Sequence, residues 1–266
     1  IFGFLFIPAF GVSGIGYATL IAQFLSLIIV LIKLLKNKRI KVITIQNFNI
    51  KFFYIKNIFF QSMPITIAIL GYSIAATIVF TYVAFTGEYA VAGYGAATRI
   101  EQVVLLPILG INTAIISIIA QNIGAKYYYR VKQSYFTSVK YGLIIMLVSG
   151  ILVFVTADLM PKFFSSNIEV IEYGSMYLKI SAFILPAYPI FFLSNGFFMA
   201  LKKSEKAMIN NILRNVLVPF LSYYIARSID ADFKTFFYIW AILQWLISIL
   251  LFFYVKHYIN NKFTTG

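Results

Sequence analysis

The sequence predicts an all-α integral membrane protein, because long apolar segments alternate with short polar loops whose charges change sign from one loop to the next. Of the 266 residues, 61% are hydrophobic and 11% are charged, whereas a soluble domain carries about 25% charged residues. Several apolar runs exceed the ~20 residues that cross ~30 Å of hydrocarbon as a helix. A soluble protein would not bury that much apolar surface.

Seven spans are predicted after a short apolar segment, residues 1–8, that is typical of the end of a helix. The first span covers residues 12–35. A basic stretch over 36–56 follows, and its interleaved Phe and Ile residues predict a segment on the membrane surface. The span over 90–123 is too long for one straight crossing, which predicts tilt or an extension into the cytoplasm. The later spans are predicted over residues 58–85, 90–123, 135–157, 173–201, 207–226 and 233–254.

The charges of the loops predict the orientation of the spans. Acidic residues fill every second loop, namely Glu88, then Asp158, Glu169 and Glu172, then Asp230 and Asp232. The other loops are basic and carry Lys33, Lys36, Lys38, Arg39, Lys41, Lys51 and Lys56, then Lys126, Arg130, Lys132 and Lys140, then Lys202, Lys203 and Lys206, then Lys256 and Lys262. The positive-inside rule therefore predicts a multi-pass protein of the cell (inner or plasma) membrane with a cytoplasmic C-terminus.

Composition argues against several chemistries. The chain has no cysteine and one histidine, His257, and shows no paired carboxylates or glycine-rich phosphate loop. We therefore expect no metal site, no cofactor and no enzymatic activity. The net charge of +14 is explained by the basic loops, so nucleic acid is not expected as a partner. The expected partners are the lipid bilayer and a small-molecule substrate.

An internal repeat is indicated by two similar nine-residue segments in the first and last spans. YATLIAQFL begins at Tyr17 and YIWAILQWL begins at Tyr238, an offset of 238 − 17 = 221 residues. That offset contains six spans, which is one repeat of a duplicated transporter.

Four segments together resemble the multidrug and toxic compound extrusion (MATE) transporters. They are PAFGVSGIGYATLIAQ (8–23), GYGAATRIEQ (93–102), LPILGIN (106–112) and AQNIGAK (120–126). The resemblance implies twelve helices in two six-helix lobes around a cleft. This chain would then supply the end of the first lobe (1–35, helix five tail and helix six), a basic cytoplasmic inter-lobe linker (36–56), the second six-helix lobe (57–258) and a cytoplasmic tail (259–266). The N-terminal lobe of the same chain would be missing.

The resemblance implies a secondary active transporter that exports organic, cationic or amphipathic solutes by antiport with H⁺ or Na⁺. The alternative is a flippase for lipid-linked precursors, since the wider superfamily contains these. Several branches of the family carry coupling carboxylates on helices seven and ten. The spans over 58–85 and 173–201 hold no Asp or Glu inside the apolar region, so the coupling ion stays open.

Glu101 is the one carboxylate placed inside a predicted span. An ionisable group at membrane depth is a candidate for function by default. At 100° per residue, Tyr94, Glu101 and Asn112 share one stripe of the third span, so Glu101 either faces the cleft and binds a proton or cation, or pairs with a neighbouring helix. Arg99 lies about 200° away and does not share that face.

Other polar residues within the spans form weaker candidates. Arg214, Asn211 and Asn215 form a polar patch, for which a structural hydrogen-bonding role is favoured. We also predict a structural role for Arg99. Polar residues on one face of each of two further spans are candidates to line the cleft: Ser73, Thr77, Tyr188 and Asn195. Prolines that interrupt helical hydrogen bonding give candidate hinges: Pro64, Pro107, Pro186 and Pro189.

Overall fold

The structure, a computed structural model, describes residues 11–36 and 52–263, and these ranges contain helices and no strand. The helices are α1 (Gly11–Lys36), α2 (Phe52–Ala84), α3 (Glu88–Val104), α4 (Leu106–Gly124), α5 (Tyr128–Thr156), α6 (Ile168–Ile184), α7 (Ala187–Ala200), α8 (Ser204–Ile212), α9 (Val218–Ser228) and α10 (Phe233–Phe263). The predicted helix end over 1–8 and residues 37–51 of the predicted linker lie outside the described residues.

The chain divides into two compact units, Ile1–Ile55 and Lys56–Gly266. Within the first unit, α1 exposes nearly all of its described side chains, and residues 16–33 of this helix have the length and hydropathy of a membrane span. The second unit holds the rest of the helices and both buried cores.

Five helices among the described residues are long and apolar enough to cross a membrane: α1, α2, α4, α5 and α10. The pair α6–α7 passes the same test as one bent span, so the prediction of an all-α multi-pass fold is confirmed. Two helices extend past the predicted domain boundaries. Helix α2 begins at Phe52, so the last five residues of the predicted linker are helical, and α10 continues to Phe263, so most of the predicted tail is helical as well.

Two predicted spans are broken by proline. The predicted span 90–123 is two helices, because Pro107 in the first turn of α4 lacks an N–H and its ring would clash with the carbonyl of Val103 in a continuous helix. The predicted span 173–201 is α6 and α7, which meet at a 56° bend around Leu185 and Pro186. Pro64 instead lies inside the continuous helix α2.

The predicted span 207–226 is interrupted by a π-helical segment, Leu213–Leu217, between α8 and α9. Pro219 stands in the first turn of α9. Its ring would clash with the carbonyl of Asn215 in a regular α-helix, and the wider π turn relieves that clash. Such π segments occur frequently at functional sites, and this one carries the buried Arg214.

Two aromatic-rich cores hold the second unit together. One gathers Tyr82, Tyr94, Tyr177, Phe236 and Phe237 with their aliphatic neighbours. The other surrounds buried side chains of α4, α5, α7 and α10, including Ile119, Tyr135, Phe197, Phe198 and Ile259. The large apolar side chains left exposed on α5, such as Ile144, Leu147 and Ile151, form the surface expected of a helix that faces lipid.

Glycine permits a close contact between two helices of the first core. A Cβ at Gly93 of α3 would lie 2.6 Å from the carbonyl oxygen of Val170 and 2.8 Å from the amide nitrogen of Gly174, both on α6. Small residues permit such close backbone approach between membrane helices. This contact fixes the distance between α3 and α6, which carry two of the groups in the site described next.

Candidate cleft site

An open cleft of about 610 Å³ lies between α2, α3, α6, α7, the π segment and α10. Volumes of 300–1,000 Å³ are usual for small-molecule sites. Most of its wall is apolar or aromatic. The lining side chains that carry polar atoms are Tyr72, Tyr94, Thr98, Glu101, Gln102, Tyr177, Tyr188, Asn211, Arg214, Asn215, Trp240 and Gln244.

Glu101 is held at the cleft wall by two tyrosines from neighbouring helices. Tyr177 of α6 donates its hydroxyl hydrogen to Oε2 at 2.5 Å, and Tyr188 of α7 donates to Oε1 at 2.7 Å. The side chain is 7% exposed. Hydrogen bonds to an ionised acceptor are roughly twice as strong as neutral ones, so the two hydroxyls stabilise the carboxylate in place of water.

Arg214 packs against the ring of Tyr188 and is 3% exposed. Its guanidinium carbon is 4.3 Å from the centroid of the Tyr188 ring and 4.2 Å from that of Phe191. Its Nε donates to Oε1 of Gln244 at 2.5 Å. Guanidinium groups stack well on aromatic faces because they are planar and weakly hydrated. Tyr188 therefore touches both charged groups of the cleft.

The charges of the cleft balance without forming a contact ion pair. Glu101 and Arg214 are its two ionisable groups of opposite sign, and the one salt bridge among the described residues joins Lys179 to Asp158 at 2.8 Å elsewhere. A separated carboxylate and guanidinium leave both groups able to interact with a third partner. The indole Nε1 of Trp240, also on the cleft wall, is buried and has no hydrogen-bond partner within the described part of the chain.

Several predicted pathway residues lie away from the cleft. Oδ1 of Asn112 would be 2.2 Å from a Cβ at Gly196, so this side chain packs against α7 and does not share the stripe with Glu101. The predicted stripe assumed one continuous helix through Leu105, whereas α3 ends at Val104 and α4 begins at Leu106. Asn195 accepts a hydrogen bond from Asn210 at 3.3 Å and joins α7 to α8.

Ser73 and Thr77 bond within α2, since the Thr77 hydroxyl donates to the Ser73 carbonyl at 3.1 Å. Neither residue lines the cleft, whereas Tyr72 and Ala76 of the same helix do. Arg99 is exposed, as its angular offset from Glu101 predicts.

Sequence reasoning placed Tyr94, Glu101 and Tyr188 in a cleft and assigned Asn211, Arg214 and Asn215 to a structural patch, yet all six line the same cleft. It missed Tyr177, Trp240 and Gln244 as site residues. Gln244 carried a usable signal, because an amide in the middle of an apolar span needs a polar partner. Tyr177 carried none, since nothing in the sequence of α6 separates it from the core tyrosines.

The fold and the cleft define a multi-pass membrane protein with a solute-sized polar site between bent helices. The MatE family model matches residues 64–224, which is more than half of the chain. The chain therefore belongs to the MATE family of transporters.

Two curated proteins resemble the chain in sequence. An FAD transporter of Shewanella oneidensis is 30% identical over 107 residues, which cover 40% of this chain and 24% of that protein. The probable multidrug resistance protein YpnP of Bacillus subtilis is 24% identical over 213 residues, covering 79% of this chain and 47% of that protein. The chain thus spans about half or less of the length of these relatives.

Solved transporters share the fold. An outward-facing multidrug resistance MATE family transporter of the MOP superfamily superimposes with a TM-score of 0.86 at 21% identity, covering 95% of this chain and 57% of that one. A MOP superfamily transporter from Pyrococcus furiosus, reported to have a binding pocket of reverse polarity, gives 0.85 at 23% identity, with 94% and 57% covered. At this identity the likeness shows the fold alone.

Proposed function

We propose that this chain forms one lobe of a secondary active transporter that exports amphipathic organic solutes, cations in particular, across the cell membrane in exchange for H⁺ or Na⁺. The observation that carries the proposal is the cleft of about 610 Å³ with a buried carboxylate set in a wall of aromatic side chains. Membership of the MATE family and the name of the Bacillus subtilis relative support it.

The aromatic wall suits a flat organic cation. The aromatic side chains of Tyr72, Tyr94, Phe191, Phe192 and Trp240 line the cleft, and a cation over an aromatic face gains about 0.5–2 kcal/mol. The cleft is open, as one wall of a site between two repeats would be. A second six-helix lobe, supplied by a region preceding residue 1, would complete the enclosure.

Glu101 is the group proposed to exchange the coupling ion. A carboxylate at membrane depth is costly unless it is paired, hydrogen-bonded or hydrated, and Tyr177 and Tyr188 supply two hydrogen bonds to its ionised form. A proton, a sodium ion or a cationic solute would each neutralise it. Competition for this one charge couples ion entry to solute release, because only one of them compensates the carboxylate at a time.

The 56° bend between α6 and α7 gives the proposed transporter a place to move. Tyr177 precedes the bend and Tyr188 follows it, and both bind the same carboxylate. A change of charge at Glu101 would therefore alter the force on both sides of Leu185–Pro186. We propose this bend as the hinge, with Pro107 marking a second break between α3 and α4.

The test is ion-driven flux through the complete two-lobe protein in proteoliposomes, with a fluorescent lipophilic cation as the solute and separate H⁺ and Na⁺ gradients. We expect flux under one gradient and its loss in Glu101→Gln, with the protein still folded. Glu169→Gln is the matched control, because that carboxylate is exposed in the first turn of α6, away from the cleft. Wild-type flux by Glu101→Gln from pH 5.5 to 8.5 would assign Glu101 a structural role.

The 266-residue chain alone is expected to transport nothing, because one wall leaves the polar groups of the cleft open to lipid. Ion-driven, solute-specific flux by this chain in proteoliposomes would contradict the two-lobe proposal.

A second candidate function follows from Arg214. A guanidinium in the cleft wall favours an anionic group on the solute, as in a dinucleotide or a lipid-linked precursor, and one relative is named an FAD transporter. The sign of the charge on the solute distinguishes the two candidates. If an excess of an anionic aromatic solute blocks cation flux in wild type but not in Arg214→Gln, the anionic substrate is favoured.

A further inference from the structure

A second groove lies between α8 with the π segment and α10, at the end of the helices where the basic loop after α7 begins. Its volume is about 270 Å³. It is separate from the cleft, with which it shares no lining residue. The residues that line it are Lys206, Ile209, Asn210, Leu213, Ile247, Leu250, Leu251 and Tyr254.

Lys206 stands at the head of this groove, held by three aromatic rings. Its ammonium nitrogen is 4.9 Å from the centroid of Tyr254, 4.8 Å from that of Tyr258 and 5.6 Å from that of Phe198. The same nitrogen donates a hydrogen bond to the Tyr254 hydroxyl. These contacts fix the ammonium in place without supplying a negative charge.

A second lysine extends the positive charge at the head. Lys203 places its ammonium nitrogen 5.2 Å from the centroid of Tyr258. Neither Lys203 nor Lys206 forms a salt bridge to any carboxylate among the described residues. Glu205, the acidic residue between them in sequence, is exposed, and as a neighbour of Lys206 on a helix it projects from a different face. The head of the groove therefore carries two positive charges that no salt bridge among the described residues neutralises.

Below the lysines the groove becomes apolar. Ile209 is 51% exposed and Leu250 is 57% exposed, and they form opposite walls on α8 and α10. Leu251, which also lines the groove, is buried. The side-chain nitrogen of Asn210 is already bonded to Asn195. From Tyr254 to Ile247 is seven residues of α10, roughly 10 Å at 1.5 Å per residue.

We propose that this groove binds an anionic phospholipid, with the headgroup phosphate at Lys203 and Lys206 and the upper part of one acyl chain between Ile209 and Leu250. Charge complementarity selects this occupant: a fixed, unpaired cationic pair caps an apolar channel that runs along the helices, which is the charge profile of one lipid in a leaflet. The predicted cytoplasmic side of these lysines matches the leaflet in which basic pockets between helices bind anionic headgroups. The proposal does not depend on which solute the cleft transports.

The test is native mass spectrometry of the purified 266-residue chain with equimolar phosphatidylglycerol and phosphatidylcholine of the same acyl chains. We expect phosphatidylglycerol to be retained preferentially. Lys206→Gln should weaken that binding about five-fold, as expected for one basic side chain near an anionic lipid surface. Lys234→Gln is the matched control, because Lys234 also lies over a tyrosine of α10, 5.8 Å from the Tyr238 ring, but it stands in the first turn of that helix and does not line the groove.

A second variant tests the acyl channel separately from the charge. Leu250→Trp fills the groove from an exposed wall, so folding is preserved while retention of both lipids falls. Glycerol 3-phosphate, which has the headgroup chemistry without acyl chains, should not displace the bound lipid. Equal retention of the two lipids, unchanged binding in Lys206→Gln, or displacement by glycerol 3-phosphate would each overturn the proposal.

Discussion

Replacing Gly93 by alanine tests whether the contact between α3 and α6 is as tight as the structure shows. The new Cβ would lie 2.6 Å from the Val170 carbonyl oxygen, 2.8 Å from the Gly174 nitrogen and 2.9 Å from the Tyr173 Cβ. Two of these atoms are backbone, so no side-chain rotation relieves the clash and α6 has to move. Overpacking of this kind costs typically about 1–3 kcal/mol, against a gain of up to about 1 kcal/mol in helix propensity.

We therefore expect Gly93→Ala to lower the free energy of unfolding by up to about 2 kcal/mol, which is the overpacking cost of about 1–3 kcal/mol less a propensity gain of about 1 kcal/mol. Gly95→Ala is the control, because a Cβ at Gly95 has nothing within 4 Å and keeps only the favourable propensity. The assay is denaturant unfolding of the purified chain in detergent, followed by circular dichroism. Equal or greater stability of Gly93→Ala than of Gly95→Ala would refute the close packing.

Three further predictions concern the loop between α5 and α6, the cleft and the topology. The hydrogen bond from Lys179 to Asp158 lowers the pKa of that carboxyl, so its stabilisation is present at neutral pH and is lost as the pH falls through the folded-state pKa. By thermal unfolding, Asp158→Asn should cost under about 1 kcal/mol at pH 7 and progressively less as the pH falls through that pKa. Arg214→Lys keeps the charge but loses the planar stacking and the Nε bond to Gln244, which should cost about 1–3 kcal/mol of unfolding free energy. Cysteine at Ser166 should react with an impermeant thiol reagent in intact cells, and cysteine at Lys203 should not.

Each of these has a contradicting result. A stability difference between wild type and Asp158→Asn that is unchanged at low pH would show that the charge of the carboxylate does not stabilise the loop after α5. Wild-type stability of Arg214→Lys would mean that charge alone, without stacking, holds the π segment. External labelling at Lys203 would reverse the proposed orientation and, with it, the leaflet proposed for the lipid.

The cleft shows where helical periodicity fails as a guide to a site. A 100° rotation per residue placed Glu101 and Asn112 on one face, but the break at Leu105 resets the rotation, and Asn112 packs against Gly196 instead. The break is itself visible in the sequence as Pro107. A proline within a predicted span either stays inside a continuous helix, as Pro64 does, or marks a break between two helices, as Pro107 and Pro186 do. The sequence did not reveal which of these two outcomes each proline would have.

Arg214 shows a second limit. Its two polar neighbours in sequence, Asn211 and Asn215, favoured a structural patch, and the structure does bond its Nε to Gln244. The same residue, carried by the π segment, also lines the cleft, where it packs on the ring of Tyr188. That juxtaposition brings together residues 101, 188, 214 and 244, which lie on four different helices, so no local pattern reports it.

Hydropathy and loop charge by themselves determined the fold class and most of the apolar helices, because the bilayer imposes one length and one polarity on every crossing helix; seven spans were predicted, and the described residues hold five, or six with the bent pair. The resemblance to the family came from the motifs within 8–23 and 93–126. Only the tertiary structure decided which side chains share the cleft. Helix–helix contacts in a membrane depend on shape, such as the fit of Gly93 against Val170, and on single hydrogen bonds, such as those of Glu101. Both depend on residues far apart in the chain and leave no period in the sequence.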